Sequence, residues 1–465
     1  MKLTIWPINI FLILFLSSCD DKDHAIIDDS SSDYYITYKD YTLDSLSGNI
    51  IDTEISIEDF QSAEECADCH LQHFQEWETS FHAHAFSDNI FLNMWNDEKE
   101  SRPTTGVNFC IQCHAPAAFV SGYDLDGVDH PDEFNLPKAI TEGVSCDICH
   151  TMVNKSPSVH TQDHIAAVAQ YHINPGEGIK YGSIQDPDTN SFHESAYLPL
   201  FNLSSSCLPC HNQSIRGMPI EMTFSEWDDH AGLSMAGPSC QSCHMPKQSD
   251  GHSSHYFAGV DILFYDGIDE SSDQYQEVKK LLRESVDISF TRVNPNSGAL
   301  DSIKIENDTL WVPITINNLA GHRFPSGTAF AREAWLELTI VNSLNDTIYN
   351  IGTIIASSDE LNYNDSELMF YTQILYDQEN HGGNVINSVS DALSYRDHTI
   401  PTLFYDSKTY AIELQNQDIN NLFIKARMLF RPFKPQIVNQ FLPESISYIP
   451  ILEMDADSIT ITLVQ

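Results

Sequence analysis

Ten cysteines stand in five pairs, each pair three positions apart and each followed at once by a histidine: CADCH from Cys66, CIQCH from Cys110, CDICH from Cys146, CLPCH from Cys207 and CQSCH from Cys240. Five such adjacencies, in a chain with 20 histidines among 465 residues, lie far beyond coincidence. The chemistry that uses both thiols and the next imidazole is c-type haem attachment. Cys66, Cys69, Cys110, Cys113, Cys146, Cys149, Cys207, Cys210, Cys240 and Cys243 would form thioethers with the porphyrin vinyl groups, while His70, His114, His150, His211 and His244 each give one iron an axial ligand. Tetrahedral zinc takes two cysteine pairs per site, which leaves one of five unmatched, and it has no need of the adjacent histidines. Redox dithiols and disulfides leave the histidines unexplained too. The motifs therefore predict five covalently attached haem c groups.

An iron held in this way either finds a sixth ligand or keeps an open, reactive position. Fifteen histidines lie outside the motifs, and eleven of these fall between residues 61 and 260. That surplus predicts bis-histidine irons of low potential at most sites, in preference to methionine ligation. In CHLQHFQEWETSFHAHAF, a helix continuing from His70 would set Phe74, Trp77 and Phe81 on one face, with His82 about 18 Å along the axis. His82 would then miss the His70 iron and cap a neighbouring one. His73 and His84 are equally available by composition.

The elements that must position these groups follow from composition and period. The chain opens with MKLTIWPINIFLILFLSSCD: one lysine, an apolar run from Leu3 to Leu16, then small residues before Cys19. At 1.5 Å per residue the run spans about 21 Å, short of the roughly 30 Å hydrocarbon core, so residues 1–18 read as a signal peptide. LSSC at 16–19 looks like a bacterial lipobox, with Cys19 lipidated. It is the one cysteine outside the motifs, and an unmodified Cys19 would leave a free thiol in an oxidising compartment. Export also suits covalent haem attachment, which takes place outside the cytoplasm. A lipoprotein of the periplasm, outer membrane or cell surface is expected.

Residues 20–60 hold twelve acidic residues against two lysines, so 19–60 reads as a lipidated N-terminus and acidic linker, with DYYITYKDY a candidate strand. Residues 61–260 carry all five motifs, about one per 40 residues, and predict a helical, loop-rich pentahaem domain whose core is largely porphyrin. In 261–300, DQYQEVKKLLRESV places Tyr275, Val278, Leu282 and Val286 on one face of a connecting helix. Residues 301–465 change period. Leu310, Val312, Ile314 and Ile316 alternate, as do Leu336, Leu338 and Ile340, then Ile424, Ala426, Met428 and Phe430, then Ile459, Ile461 and Leu463, which predicts an all-β sandwich. Lys425, Arg427 and Arg431 share the other face of one strand and read as a solvated stripe. The fold class expected is thus multidomain, a mainly helical haem domain followed by an all-β domain.

Acidic residues outnumber basic ones 67 to 23, a formal charge of −44 that haem propionates would deepen. Nucleic acid and anionic lipid surfaces are poor partners for such a chain, and basic redox proteins suitable ones.

WETSFHAHA at 77–85, EGVSCDICH, FHESAY at 192–197, TFSEW at 223–227, CQSCHMP at 240–246 and HYFAG at 255–259 together resemble multihaem cytochromes of the cytochrome c-554 and c-552 type. NNLAGHRFPSG followed by REAWLEL resembles a β-domain attached to many of them. The resemblance implies distal ligand roles for His82, His193, His255 and His322, the last docking the β-domain onto a haem. It leaves His160, His164, His172 and His230 competing for the fifth iron. It also departs from the family's tetrahaem namesake in having five motifs. The function expected is electron transfer through closely packed haems, with donor and acceptor proteins as partners. The alternatives are a reductase or oxidase of a small nitrogen or sulfur compound at a five-coordinate iron, and a β-module that docks a partner while the haems serve it. Pentahaem nitrite reductases carry Lys at the catalytic motif, whereas all five motifs here carry His.

Overall fold

Repeated two-residue alternation after Thr309 becomes two larger antiparallel sheets in the computed structural model, which describes residues 36–44, 49–101, 106–131, 134–154, 169–215, 217–264, 267–356, 358–414 and 421–462. One sheet runs in the order Lys304–Glu306, Thr309–Asn318, Tyr405–Glu413, and Val286–Ser289 also pairs with its middle strand. The other runs Thr347–Ile351, Glu333–Asn342, Asn421–Arg431, Leu452–Thr462, with Phe370–Tyr371 also on Glu333–Asn342. A three-stranded sheet, Val385–Ile386, Gln373–Tyr376, Ser394–Asp397, completes a strand-rich C-terminal region.

Period two puts every second side chain on one face. Leu310, Val312, Ile314 and Ile316 of the first sheet are accordingly buried in one apolar cluster with Leu336, Leu338, Ile340, Ile424, Ala426, Met428 and Phe430 of the second. The helix Asp273–Ser285 packs Tyr275, Val278 and Leu282 into the same cluster, and Val286, at the start of the next strand, joins them. Ser272 caps this helix by accepting from the Tyr275 amide. The alternation is weaker at the last strand. Ile459, expected inside, is 41% exposed, because Leu452–Thr462 is a sheet edge whose buried residues are Leu452 and Met454 near its start.

The basic stripe is also different from expectation. Arg431 is 1% exposed and forms an ion pair with Glu333, which is fully buried and also accepts from the Tyr363 hydroxyl at 2.7 Å. The Arg431 guanidinium lies over the Trp335 ring at 5.3 Å. Lys425 and Arg427 keep the partly exposed character expected, Arg427 with Glu337 at 2.5 Å and Glu453 at 3.4 Å.

The N-terminal half is helices and turns. Helices cover Ala63–Ala67, Leu71–Glu78, Asn89–Ser101, Gly106–His114, Cys146–His150 and Cys240–His244. The helix after the first motif stops at Glu78, so His82 does not share an axis with His70. The hydroxyls explain the stop: Thr79 Oγ1 donates to the Glu76 carbonyl at 3.0 Å, and Ser80 Oγ accepts from the Ala83 amide at 3.5 Å. Trp77 is buried with Ala63 and Ala83, and Phe74 packs on them, while Phe81 stays outside that cluster.

Much of the acidic segment is fixed. Tyr41–Leu43 and Ile50–Thr53 pair antiparallel, and Ile55, Ile57 and Phe60 are buried. Residues 38–465 form one compact unit, with the Arg332 guanidinium reaching Asp261 at 2.5 and 3.1 Å and Asn93 Nδ2 donating to the Phe441 carbonyl. No helix among the described residues is long and apolar enough to cross a membrane. Leu3–Leu16 and Cys19 lie outside the described residues.

Glu333→Gln leaves the Arg431 cation buried and unpaired and is expected to cost about 3–5 kcal/mol in denaturant unfolding. Glu453→Gln at the exposed pair should cost less than about 1 kcal/mol.

Candidate functional site

A single helical turn explains the attachment motifs. Residues i and i+3 share a face and i+4 lies one turn above i, so two sulfurs and one imidazole project to the same side. The turns are formed. Cys146–His150 and Cys240–His244 are helices, Cys110–His114 ends one, and the amides of His70 and His211 donate to the carbonyls of Cys66 and Cys207 at 2.8 and 3.0 Å. All ten motif cysteines are free of disulfides.

The motif sites adjoin. Cys66 contacts Cys146, Cys113 contacts Cys210 and Cys207 contacts Cys240 through their sulfurs. Tyr171 joins two of them, donating to the Gln112 carbonyl and lying 3.1 Å from Cys210 Sγ.

Four of the five motif histidines face a second imidazole. His70 and His193 have ring centroids 6.3 Å apart, His211 and His82 6.3 Å, His150 and His255 6.4 Å, and His244 and His322 6.4 Å. A metal–imidazole bond is about 2.0 Å and the ring nitrogen sits about 1.1 Å from the centroid, so two imidazoles on opposite sides of one ion place their centroids roughly 6.2 Å apart. The observed gaps fit one iron between each pair. The rings opposite the motif histidines are those of His82, His193, His255 and His322, the four that the sequence resemblance names.

The other ring nitrogens fit as well. Nδ1 faces a backbone carbonyl in His114 (Ala85, 2.6 Å), His150 (Tyr181, 2.7 Å), His244 (Ala258, 2.6 Å), His193 (Glu194, 3.0 Å), His255 (Ser253, 2.8 Å) and His322 (Arg323, 2.9 Å). A carbonyl only accepts, so Nδ1 carries the proton and Nε2 keeps its lone pair for a metal. Burial holds His82 down to about 3, and His114, His244 and His255 to about 4, which keeps them neutral. His211 is the exception. Burial disfavours its cation, but Glu221, whose carboxylate is 3.5 Å from Nδ1, outweighs this with Cys210 and Cys240 and raises it to about 9.

Distant segments deliver the distal rings. His82 is set by Gly143, whose φ of +62° is open to glycine and whose position a Cβ would bring within 2.6 Å of the His82 carbonyl. That carbonyl accepts from the Val144 amide, and Trp77 Nε1 donates to the Val144 carbonyl at 2.9 Å, joining WETSFHAHA to EGVSCDICH. Asn190 Oδ1 accepts from the amides of Phe192 and His193. Glu76, buried, accepts from the His255 amide at 2.7 Å and stands 2.8 Å from His252 Nε2. The His322 loop is held by Asn318, which donates to the His322 carbonyl, and by Glu226, whose Oε2 accepts from Ser326 Oγ at 2.5 Å and the Arg323 amide at 3.2 Å.

His114 differs from the rest. Its ring stacks on Phe91 at 3.8 Å and 4°, and among the described residues no imidazole faces it at the spacing of the four pairs. Of the candidates for the fifth iron, His160 and His164 lie outside the described residues, His172 rests edge-on against Tyr38 at 4.3 Å, and His230 lies beside Gly232. His73 stands edge-on to His255 at 4.8 Å without joining a pair, and His84 packs on Phe81. Phe91, Glu76 and Glu221 carry no sequence signal: aromatics and acids are too common in this chain to single out.

Burial raises Glu226 to about 7, against the hydrogen bond from Ser326 that lowers it, and Asp88 is pushed up to about 7 by burial. An acid whose folded pKa is raised stabilises the fold fully below its unfolded value and loses that contribution as pH rises through the folded one. Stability should therefore fall between about pH 4.5 and pH 7, and Glu226→Gln should flatten part of that slope in unfolding measured across the range.

Residues 65–151, spanning the first three motifs, match the family model of cytochrome c554 and c-prime. None of the curated proteins matches the chain significantly. Among solved structures, the fold is similar to that of a penta-heme cytochrome c552 from Thermochromatium tepidum, with a TM-score of 0.64 at 19% identity, over 87% of this chain and all of that one. In its haem-attachment turns, its matching family segment and its fold, the chain is similar to multihaem c-type cytochromes.

Proposed function

We propose that this protein is an exported, lipid-anchored electron carrier that holds five haem c groups, four of them between the pairs His70/His193, His211/His82, His150/His255 and His244/His322. The observation that carries the reading is the recurrence of one centroid spacing, 6.3–6.4 Å, in four histidine pairs drawn from distant segments. Haem c, when bound, supplies one-electron iron chemistry. The chain's own residues do the rest. Backbone carbonyls orient five of the eight paired imidazoles, burial holds His82, His244 and His255 neutral, and the touching motifs keep adjacent sites close. No side chain is needed as a general acid or base. The charge of −44 favours positively charged redox partners, and Cys19 would supply the membrane anchor through its acyl chains.

One observation favours a second reading at one site. The His114 site, with Phe91 against the ring and no imidazole opposite among the described residues, suits a five-coordinate iron open to a small nitrogen or sulfur compound. A reductase or oxidase activity would then reside there while the other four sites deliver electrons.

Intact mass of the mature, exported protein should show five added haems and the acyl modification of Cys19. Substituting His82, His193, His255 or His322 with Ala should each convert one low-spin ferric signal to high spin in electron paramagnetic resonance and leave the others. Low-spin counts unchanged in all four variants would refute the ligand assignment. A high-spin signal in the unsubstituted protein that shifts on adding nitrite or hydroxylamine would support the second reading.

A further inference from the structure

The paired imidazoles differ in what holds Nδ1, and one pair stands apart. Six of the nine rings considered above rest on neutral backbone carbonyls at 2.6–3.0 Å. His211 instead has the Glu221 carboxylate 3.5 Å from Nδ1, and Nδ1 of its partner His82 is buried with no hydrogen-bond partner among the described residues. No other motif histidine has an ion-pair contact with a carboxylate among the described residues.

Glu221 is held in place by its surroundings. Its side chain is 19% exposed, and Oε1 accepts from Thr223 Oγ1 at 2.5 Å, itself 2.7 Å from Ser326 Oγ on the His322 loop. Gly327, at φ +73°, leaves room for Oε2, which a Cβ there would approach to 2.9 Å. The nearby guanidinium of Arg332 is engaged by both oxygens of Asp261. Besides His211 itself, the Thr223 hydroxyl is the hydrogen-bond donor to the Glu221 carboxylate.

We infer that Glu221 is a potential-setting residue: its carboxylate beside Nδ1 of His211 makes the haem on Cys207, Cys210 and His211 harder to reduce than a carbonyl partner would. The physics has a definite sign. A carboxylate on the outer nitrogen raises the basicity of the metal-bound one, and the ferric state carries one more positive charge than the ferrous, so the anion favours the oxidised form. The effect is placed at a junction, since Cys210 touches Cys113 and Cys207 touches Cys240. Electrons would rest on the flanking sites and cross this one as a raised step.

The inference rests on His211 and His82 ligating one haem. Redox titration of the holoprotein followed by electron paramagnetic resonance, in the unsubstituted protein, Glu221→Gln, Thr223→Ala and His82→Ala, separates the two. In Glu221→Gln, one midpoint should rise by a tenfold or larger change in its equilibrium, about 59 mV for one electron, with the others fixed. In Thr223→Ala the same midpoint should fall, because the carboxylate loses the hydroxyl that softens it. A purely structural disturbance would move both variants the same way, and that result, or midpoints unmoved in both, overturns the inference. If His82→Ala leaves every low-spin signal intact, the ligation reading fails and the inference with it; if it converts one signal while Glu221→Gln moves no midpoint, the inference alone fails.

Discussion

The distance across a pair of imidazoles is the constraint on which this structure turns. Two rings that face one metal ion must hold their centroids near 6.3 Å, a tolerance far tighter than loop-rich polypeptide normally keeps. The chain meets it four times with rings that are close in space and remote in sequence: His70 with His193, His82 with His211, His150 with His255 and His244 with His322. Each pair therefore closes a long loop, and the loops cross one another. His82, from the segment after the first motif, faces the histidine of the fourth, so the paired rings tie interleaved stretches of the chain together.

Apolar packing contributes throughout: the N-terminal half buries Phe86, Trp95, Ile111, Phe119, Leu125 and Ile140, and the strand-rich region a large continuous cluster. The paired rings are set in addition by polar and backbone fixings: Glu76 on the His255 backbone, Asn190 on that of His193, Asn318 on that of His322 and Gly143 beneath His82. These are few and specific, and each acts on the backbone beside one of the paired rings.

What could be read from the sequence follows the same division. The attachment turns are local chemistry, and CxxCH specifies them without reference to the rest of the fold. The strands from Leu310, Leu336 and Ile424 were legible because burial on one face imposes period two. The last strand failed at Ile459 because an edge relaxes that requirement, and Arg431 was misread as solvated because alternation says which face a residue takes and not what covers it. The helix through His82 was overextended for want of weight on Thr79 and Ser80, whose hydroxyls end it. The four rings found opposite motif histidines are named only by resemblance, since surplus histidines are interchangeable by composition. Glu221 had no signal among 67 acidic residues, and its position beside His211 is a fact of tertiary structure.

The loop that carries His322 belongs to the strand-rich region, yet its ring faces His244 of the N-terminal half. The spacing of that pair is thus jointly owned. Neither half can drift, be exchanged or be trimmed without moving one of the two imidazoles away from the other. A mechanical joint between the two regions and the geometry of one histidine pair are the same object.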